Sequence, residues 1–488
     1  MSGTDRDPVA AGGGETRAAA RGGLTLLVTQ SLSRLVGLGF VVVATHRISP
    51  SGFGRYSTVA AVVLFTNFLA DFGTSPAVTR LSSRTRDEAD ALLSGTLGIS
   101  LVFGLAAYGV AVLFALVAYS GTTVVDVAIG GLAIPAASVL SSVLGALDGE
   151  GLIARRAAVT ALQAVVVAAG VVPLLAGTGI RGPIWALAAA PYVALAVAAV
   201  VARRAGVWRS GLHFDAARTR LLLRTALPLA LSGGLTALTM RFDVVLISVL
   251  RPPRQTATYD LALRLIEATT YLGTAVCAPL LFILSRRWGE GDHEGVARAY
   301  QEAARALYLL GLPLSVGLAL LARPVVSAAL GPGFEGVATP LATMGAAQWL
   351  TFVIGMQGAL VMAGDSVGRG VAVGALNTAV LVGLDVVLVP TYGAEGAAVA
   401  MVASWAFAVT ALHVFHRRTA GVSTPLPSVR LVAATAALAG VVFPLRHGPL
   451  AVTLVVAAAT YAAALWATGA VRGHDLRRLR SFAAGREN

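Results

Sequence analysis

Three arginines interrupt otherwise apolar stretches of the sequence, where a basic side chain could bind an anion. They are Arg34, Arg241 and Arg264. A charged residue inside a transmembrane helix costs roughly 2.5–3.5 kcal/mol on insertion scales, so it tends to face a cavity or a partner. Guanidinium groups bind phosphate oxygens through two parallel hydrogen bonds. The pattern therefore predicts a positively charged site that binds an anionic substrate. The alternative is that each arginine pairs with a nearby carboxylate.

Carboxylates in the same stretches are the candidates for ion coupling. Asp243 lies two residues after the second of these arginines, a spacing that does not bring two side chains together on a helix. Asp260, Arg264 and Glu267 occupy positions i, i+4 and i+7 of one helix face, which is typical of an ion-pair ladder. We expect Asp243, Glu267 and Asp71 to serve in ion coupling, with capping of a neighbouring helix as the alternative for Asp71.

Neutral amides supply hydrogen bonds suited to a sugar without the full cost of a charge. Asn67, Asn377 and Gln348 fall within apolar stretches. These three side chains are predicted substrate contacts. The alternative is that they hold helices together, which is a common role of polar residues in membranes.

The composition excludes several classes of protein. Of 488 residues, 56% are hydrophobic and 12% are charged, against about 25% charged in soluble globular proteins. Cys277 is the only cysteine, which rules out a disulfide framework and a cysteine-rich metal site. No Walker A sequence or nucleophile elbow occurs. We therefore expect a polytopic membrane protein that has no enzyme activity, no metal site and no cofactor.

The arrangement of apolar stretches predicts an all-α fold with fourteen transmembrane helices. Crossing about 30 Å of hydrocarbon takes roughly 20 apolar residues in helical form. Stretches of that kind cover 23–46, 56–79, 92–118, 125–147, 157–177, 183–202, 221–250, 257–285, 301–322, 337–363, 367–389, 393–416, 428–445 and 449–470.

The basic residues predict the orientation of these helices. All 37 are arginine, and the formal net charge is +13. With the predicted spans in place, 27 arginines fall on one side, seven on the other and three inside spans. The arginine-rich side is expected to be cytoplasmic, which places both termini there and the protein in the plasma membrane. The expected partner of this basic face is the anionic inner leaflet rather than nucleic acid.

The chain is similar to itself at two fixed offsets. A shift of 203 residues places Tyr56 on Tyr259, and a shift of 213 residues places the Gly-Ala-Leu run at Gly145 on the same run at Gly358. Both copies begin on the same side, so they are parallel repeats of six spans, an arrangement that transporters use. The predicted organisation is a tail (1–22), an N-lobe (23–203), a linker (204–220), a C-lobe (221–418), two further spans (426–471) and a tail (472–488).

Several runs of residues resemble a known family. The segment Ile48-Ser49-Pro50-Ser51-Gly52-Phe53-Gly54-Arg55-Tyr56 looks like the link between the first two spans of polysaccharide-type flippases. Similar tags follow in the same order at residues 227–229, 241–243, 259–265, 331–334 and 393–398. Together they resemble the polysaccharide transporter branch of the multidrug/oligosaccharidyl-lipid/polysaccharide exporter superfamily.

The resemblance implies two six-helix lobes around a central cavity. It further implies flipping of polyprenyl-pyrophosphate-linked oligosaccharides by alternating access for surface polysaccharide biosynthesis, with a polysaccharide polymerase and glycosyltransferases as partners. Three alternatives stay open: a cation-coupled multidrug exporter, a lipid II flippase, and a non-transporting membrane scaffold for glycosyltransferases. The run Ser33-Arg34-Leu35-Val36-Gly37 looks like the first-span tag of lipid II flippases, although the rest of their charged pattern is not evident.

Overall fold

A computed structural model describes residues 35–83, 89–209 and 216–470, and these residues form helices and connecting turns without a strand. The chain divides into two compact units, one up to Val249 and one from Leu250 onward. The predicted all-α, polytopic class is confirmed. Arg34 and both predicted tails lie outside the described residues.

The first unit contains ten helices, and several of their ends coincide with glycine. A turn with positive φ at Phe72 and Gly73 (43° and 70°) separates the second helix from the third. The helices are α1 (Leu35–Thr45), α2 (Pro50–Asp71), α3 (Thr74–Ser82), α4 (Ala89–Ala118), α5 (Thr122–Gly131), α6 (Ala133–Gly149), α7 (Ile153–Ala168), α8 (Val171–Leu175), α9 (Arg181–Arg204) and α10 (Ala216–Leu250).

The second unit contains nine α-helices and one short 3-10 helix, Glu335–Val337. The α-helices are α11 (Pro253–Gly289), α12 (His293–Leu320), α13 (Ala322–Leu330), α14 (Ala338–Ala346), α15 (Gln348–Ala363), α16 (Val367–Tyr392), α17 (Ala394–Thr419), α18 (Val429–Leu445) and α19 (Leu450–Ala467).

The two units use the same internal packing scheme, as expected for a duplicated chain. In the first unit, α2 packs on α4, α5 and α6, while α9 packs on α5, α6 and α7. In the second unit, α11 packs on α12, α14 and α15, while α17 packs on α14, α15 and α16. Each of these helices therefore has a counterpart with equivalent neighbours in the other unit. This correspondence supports the repeat that the sequence offsets indicate.

A broken helix occurs at the equivalent place in each unit. Pro135 cannot donate a hydrogen bond to the carbonyl four residues earlier, and the first break falls between α5 and α6 at Leu132. The hydroxyl of Tyr192 donates to the Leu132 carbonyl at 2.9 Å. In the second unit, α14 and α15 meet at Ala347 with a bend of 46°.

The described residues contain ten helices that are long and apolar enough to cross a membrane, or eleven if the bent pair α14–α15 forms one span. Two further apolar helices, α1 and α18, are shorter than a full span in the described chain. A helix or helix pair lies at each of the fourteen predicted stretches. The exact count of fourteen spans stays a prediction.

Small residues allow close helix contacts in the first unit. A Cβ atom added to Gly145 of α6 would lie 2.5 Å from the carbonyl oxygen of Ser75 in α3. At the same place, the hydroxyl of Thr79 donates to the Gly145 carbonyl at 2.9 Å. A side chain at position 145 must therefore separate α3 from α6.

We predict that Gly145→Ala lowers the thermal unfolding temperature of the purified protein. Overpacking typically costs about 1–3 kcal/mol, more than the gain in helix propensity of up to about 1 kcal/mol. Gly109→Ala in α4 is the matched control, since no atom lies within 4 Å of its added Cβ. Equal unfolding temperatures for the two variants would contradict the assigned contact.

Candidate functional site

Asp71 closes the second helix and caps the third. A turn with positive φ at Phe72 and Gly73 follows it, and its Oδ1 accepts hydrogen bonds from the backbone N–H of Ser75 at 3.4 Å and from the hydroxyl of Ser141 in α6 at 2.5 Å. A carboxylate at a helix N-terminus satisfies backbone donors that lack an intrahelical partner. The geometry therefore gives Asp71 the capping role that was the alternative in the sequence.

A cluster of hydroxyl groups surrounds this end of the first unit. Ser138 donates to the carbonyls of Ala70 at 3.1 Å and Ser100 at 2.8 Å. The hydroxyl of Ser142 lies 2.7 Å from that of Ser100 and 3.4 Å from that of Thr74. These residues were not predicted as functional. The spacing of Ser138, Ser141 and Ser142 on one helix face was the signal available for finding them.

Asn67 lies one helical turn before Asp71 on α2 and is half-buried. Within the described part of the chain, its Oδ1 atom is buried and has no hydrogen-bond partner. The amide therefore keeps an acceptor available for a ligand or a water molecule.

The helix that carries Arg241 and Asp243 is fixed to the first unit at both ends. Near the N-terminal end of α10, Leu222 and Ala226 are buried in the core formed with α3, α6 and α9. Near its C-terminal end, the hydroxyls of Ser248 and Tyr119 lie 2.6 Å apart. Burial raises the pKa of Tyr119 to about 12.

Arg241 and Asp243 occupy the C-terminal half of α10. Arg241 is nine residues before Leu250 and half-buried, which places it about 13 Å from the helix end. Asp243 is buried, with 1% of its surface exposed, and its Oδ1 accepts a hydrogen bond from the backbone N–H of Val244 at 2.7 Å. The first unit thus contains a basic and an acidic group well inside an apolar helix.

Polar side chains form a continuous stripe along α11 in the second unit. Arg264 pairs with Asp260 through Nε and Oδ2 at 2.7 Å, as the i, i+4 spacing predicts. The half-buried Glu267 continues the same face, and Tyr271 and Thr274 extend it at the same helical spacing. The sequence indicated the first half of this stripe and missed the second.

Gln348 occupies the break between α14 and α15. Its side chain is fully buried, and its Nε2 donates to the Thr270 hydroxyl of α11 at 3.0 Å. The next backbone N–H, that of Trp349, donates to the Ser315 hydroxyl of α12 at 2.9 Å. Hydroxyls of neighbouring helices thus satisfy the donors at the break. In this geometry the Gln348 amide joins helices, which is the alternative that the sequence left open.

Two predicted amide contacts have a free acceptor in the second unit. The Oε1 atom of Gln348 and the Oδ1 atom of the half-buried Asn377 in α16 are both buried without a hydrogen-bond partner among the described residues. These oxygens are available to water or to a hydroxylated ligand.

A buried ion pair in the first unit was not predicted. Arg55 of α2 contacts Asp126 of α5 through Nη2 and Oδ2, and Asp126 is fully buried. The sequence placed Arg55 in an outer loop and gave Asp126 no role. Because 71 positions separate them, no local spacing could have indicated the pair.

The described residues contain no group of three or more His, Cys, Asp or Glu side chains that could hold a metal ion. The candidate groups in each unit are arginines, carboxylates, amides and hydroxyls that lie on its helices. Such groups can bind a phosphorylated, hydroxylated ligand.

Comparison with solved structures shows which fold this chain has. The lipid II flippase MurJ, in an inward closed conformation, aligns with a TM-score of 0.77 and 13% identity over 90% of this chain and 98% of that chain. An inward-facing multidrug resistance transporter of the MATE family, described as a member of the MOP superfamily, aligns with a TM-score of 0.62 and 18% identity, covering 80% of this chain and 94% of the other. This chain therefore shares the fold of these two membrane proteins.

The sequence identifies the family within this class. The profile of the family described as polysaccharide biosynthesis protein matches residues 46–339, which is more than half of the chain. The chain belongs to this family of polysaccharide biosynthesis proteins, which confirms the resemblance drawn from the short tags. A search of curated proteins finds no match.

We predict that Asp71→Asn retains most of the stability and transport of the protein, whereas Asp71→Ala loses stability. The asparagine Oδ1 can still accept the hydrogen bonds from Ser75 and Ser141, and loss of a cap typically costs about 1 kcal/mol. Thermal unfolding and transport are measured on both variants. A transport loss in Asp71→Asn without a change in unfolding temperature would instead identify Asp71 as a coupling carboxylate.

Proposed function

We propose that this protein is a flippase that moves a polyprenyl-pyrophosphate-linked oligosaccharide across the plasma membrane for surface polysaccharide biosynthesis. The observation that carries the proposal is a half-buried arginine, Arg241, about 13 Å inside an apolar helix of a polysaccharide biosynthesis protein. The substrate would bind on the cytoplasmic side and leave outside as two six-helix lobes alternate between conformations.

The proposed binding chemistry divides the substrate into an anionic and a neutral part. Arg34, Arg241 and Arg264 bind the pyrophosphate, because the planar guanidinium group matches phosphate oxygens. The amides of Asn67, Asn377 and Gln348 accept hydrogen bonds from sugar hydroxyls. The unpartnered amide oxygens of these three residues support this assignment. A cavity that contains arginine also favours an anionic lipid headgroup over a cationic drug.

Coupling to an ion gradient or the membrane potential is assigned to carboxylates inside the helices. Asp243 and Glu267 are the proposed coupling residues, since a carboxylate in this environment can exchange a cation or a proton during the cycle. Asp71 is the third predicted residue, and its hydrogen bonds to Ser75 and Ser141 favour the capping role over coupling.

The charge distribution supports a proposed orientation in the membrane, and the substrate class suggests partner proteins. Both termini are proposed to lie in the cytoplasm, where the arginine-rich face contacts anionic lipids. Enzymes that make and consume the lipid-linked glycan, namely glycosyltransferases and a polysaccharide polymerase, are the proposed partners.

Lipid II is the second candidate substrate. The alignment with the flippase of lipid II covers 90% of this chain with a TM-score of 0.77, above the 0.62 obtained for the multidrug transporter. Vesicles that contain either lipid II or a capsule-type lipid-linked oligosaccharide distinguish the two substrates.

We predict that Arg241→Ala reduces flipping of a fluorescent lipid-linked oligosaccharide in proteoliposomes at least tenfold. Arg241→Lys retains the charge but lacks the guanidinium fork, so it should show an intermediate rate. Arg446→Ala is the control: its guanidinium stacks on Phe443 at 4.0 Å in the turn after α18, and we expect an unchanged rate. Flipping by Arg241→Ala at the rate of the unmodified protein would contradict the proposed site.

The same vesicles test the scaffold alternative. If the unmodified protein flips no lipid-linked glycan, while deletion of the gene still lowers surface polysaccharide, the protein acts by organising glycosyltransferases.

We further predict that tags at both ends of the chain face the cytoplasm. The arginine distribution, 27 against seven, sets this orientation through the positive-inside rule. In intact cells, an external protease should leave both tags uncut, and permeabilised cells should lose both. Cleavage of either tag from outside would reverse the proposed orientation or require an odd number of spans.

A further inference from the structure

The last two helices, α18 and α19, pack on one side of the second unit. Leu438 and Val442 of α18 are buried against Leu321, which follows α12. In contrast, Thr453 is the one buried residue of α19, and the helix packs on the core only through partly buried side chains, those of Leu450, Ala457, Tyr461 and Leu465. Few contacts of α19 are therefore available to influence the rest of the unit.

One polar contact of α19 is a hydrogen bond to a backbone carbonyl oxygen of α12. The Tyr461 hydroxyl donates to the backbone carbonyl of Leu309 at 3.0 Å. Residue 313, four positions later, is a proline inside α12. Proline has no N–H, so the Leu309 carbonyl lacks the hydrogen bond that an ordinary helix would supply. Tyr461 supplies it from another helix.

A freed carbonyl inside a membrane needs such a donor, because hydrocarbon offers none. Proline also favours a bend, since its ring clashes with the preceding turn. A hydroxyl that donates to this carbonyl joins α12 to α19 at the position where the proline weakens the resistance of α12 to bending.

The segment between α17 and α18 is attached to the same helix. The Tyr308 hydroxyl of α12 donates to the Pro425 carbonyl at 2.8 Å, and the Tyr300 hydroxyl lies 2.9 Å from that of Thr424. Three tyrosine hydroxyls thus join α12 to the C-terminal part of the unit, and only that of Tyr461 reaches the proline site.

We propose that Tyr461 is a positioning residue for the transport cycle, which holds α12 at the proline site through the Leu309 carbonyl and thereby makes the last two helices part of the conformational change. The proposal rests on the proposed transport function. It assigns α18 and α19 a role that packing alone would not give them.

A double-mutant cycle tests the proposal on the full-length protein in lipid. Tyr461→Phe removes the hydroxyl and keeps the ring, whereas Pro313→Ala restores the N–H and lets α12 satisfy its own carbonyl. Hydrogen exchange of the amides around residues 309–316 and flipping of lipid-linked oligosaccharide are measured for both single variants and the double variant.

In the Pro313 background, we expect Tyr461→Phe to speed this exchange about threefold to tenfold, as loss of one hydrogen bond permits, and to slow flipping about threefold or more. In the Pro313→Ala background, the same change should have little effect on either readout. The control is Tyr308→Phe, which releases a hydroxyl of the same helix away from the proline. Its effects should be equal in both backgrounds.

Equal effects of Tyr461→Phe in both backgrounds would overturn the link to Pro313. Faster exchange with unchanged flipping would overturn the positioning role. If Tyr461→Phe does not fold, Pro313→Ala alone tests the link between Tyr461 and Pro313. Unchanged hydrogen exchange around residues 309–316 overturns this link, and slower exchange supports it. A failure of the transport proposal itself is recognised separately, because the unmodified protein would then flip nothing. The hydrogen exchange of the four proteins in the double-mutant cycle would still show whether Tyr461 and Pro313 are coupled.

Discussion

The structure depends on satisfying every backbone N–H and C=O group without water. Hydrocarbon offers neither donors nor acceptors, so a helix that breaks or bends in the bilayer needs partners from its neighbours. The Tyr192 hydroxyl donates a hydrogen bond to the Leu132 carbonyl in one unit, and the Tyr461 hydroxyl donates one to the Leu309 carbonyl in the other. Ser315 accepts the N–H of Trp349. These contacts permit broken helices, which a machine that changes conformation requires.

The same environment makes each buried charge informative. An arginine within an apolar helix is costly, and a chain with 12% charged residues has few to place there. One is neutralised locally, since Arg264 pairs with Asp260 along α11. Arg241 stands on α10, whose two ends are fixed by the core and by Tyr119. In the proposed function, these charges bind the anionic headgroup of the lipid-linked substrate.

The sequence predicted the helical class, the family and the i, i+4 pair because hydropathy and helical spacing are local properties. It could not predict contacts that join distant helices. The pair Arg55–Asp126 and the contact between Gln348 and Thr270 arise only when the chain folds. Gln348 illustrates the difference: its Nε2 joins two helices, while its predicted role as a substrate contact, through Oε1, stays a prediction. The proline at 313 is visible in the sequence, whereas its partner Tyr461 lies 148 positions later and gave no signal.

The central claim is that this protein recognises the pyrophosphate of a lipid-linked glycan. It is tested most directly by the affinity of the purified protein for matched glycolipids that carry a pyrophosphate or an uncharged linkage to the same polyprenyl chain and sugar. The account predicts that the pyrophosphate form binds at least tenfold more tightly and that rising ionic strength reduces the difference. Equal affinity for the two forms would contradict it.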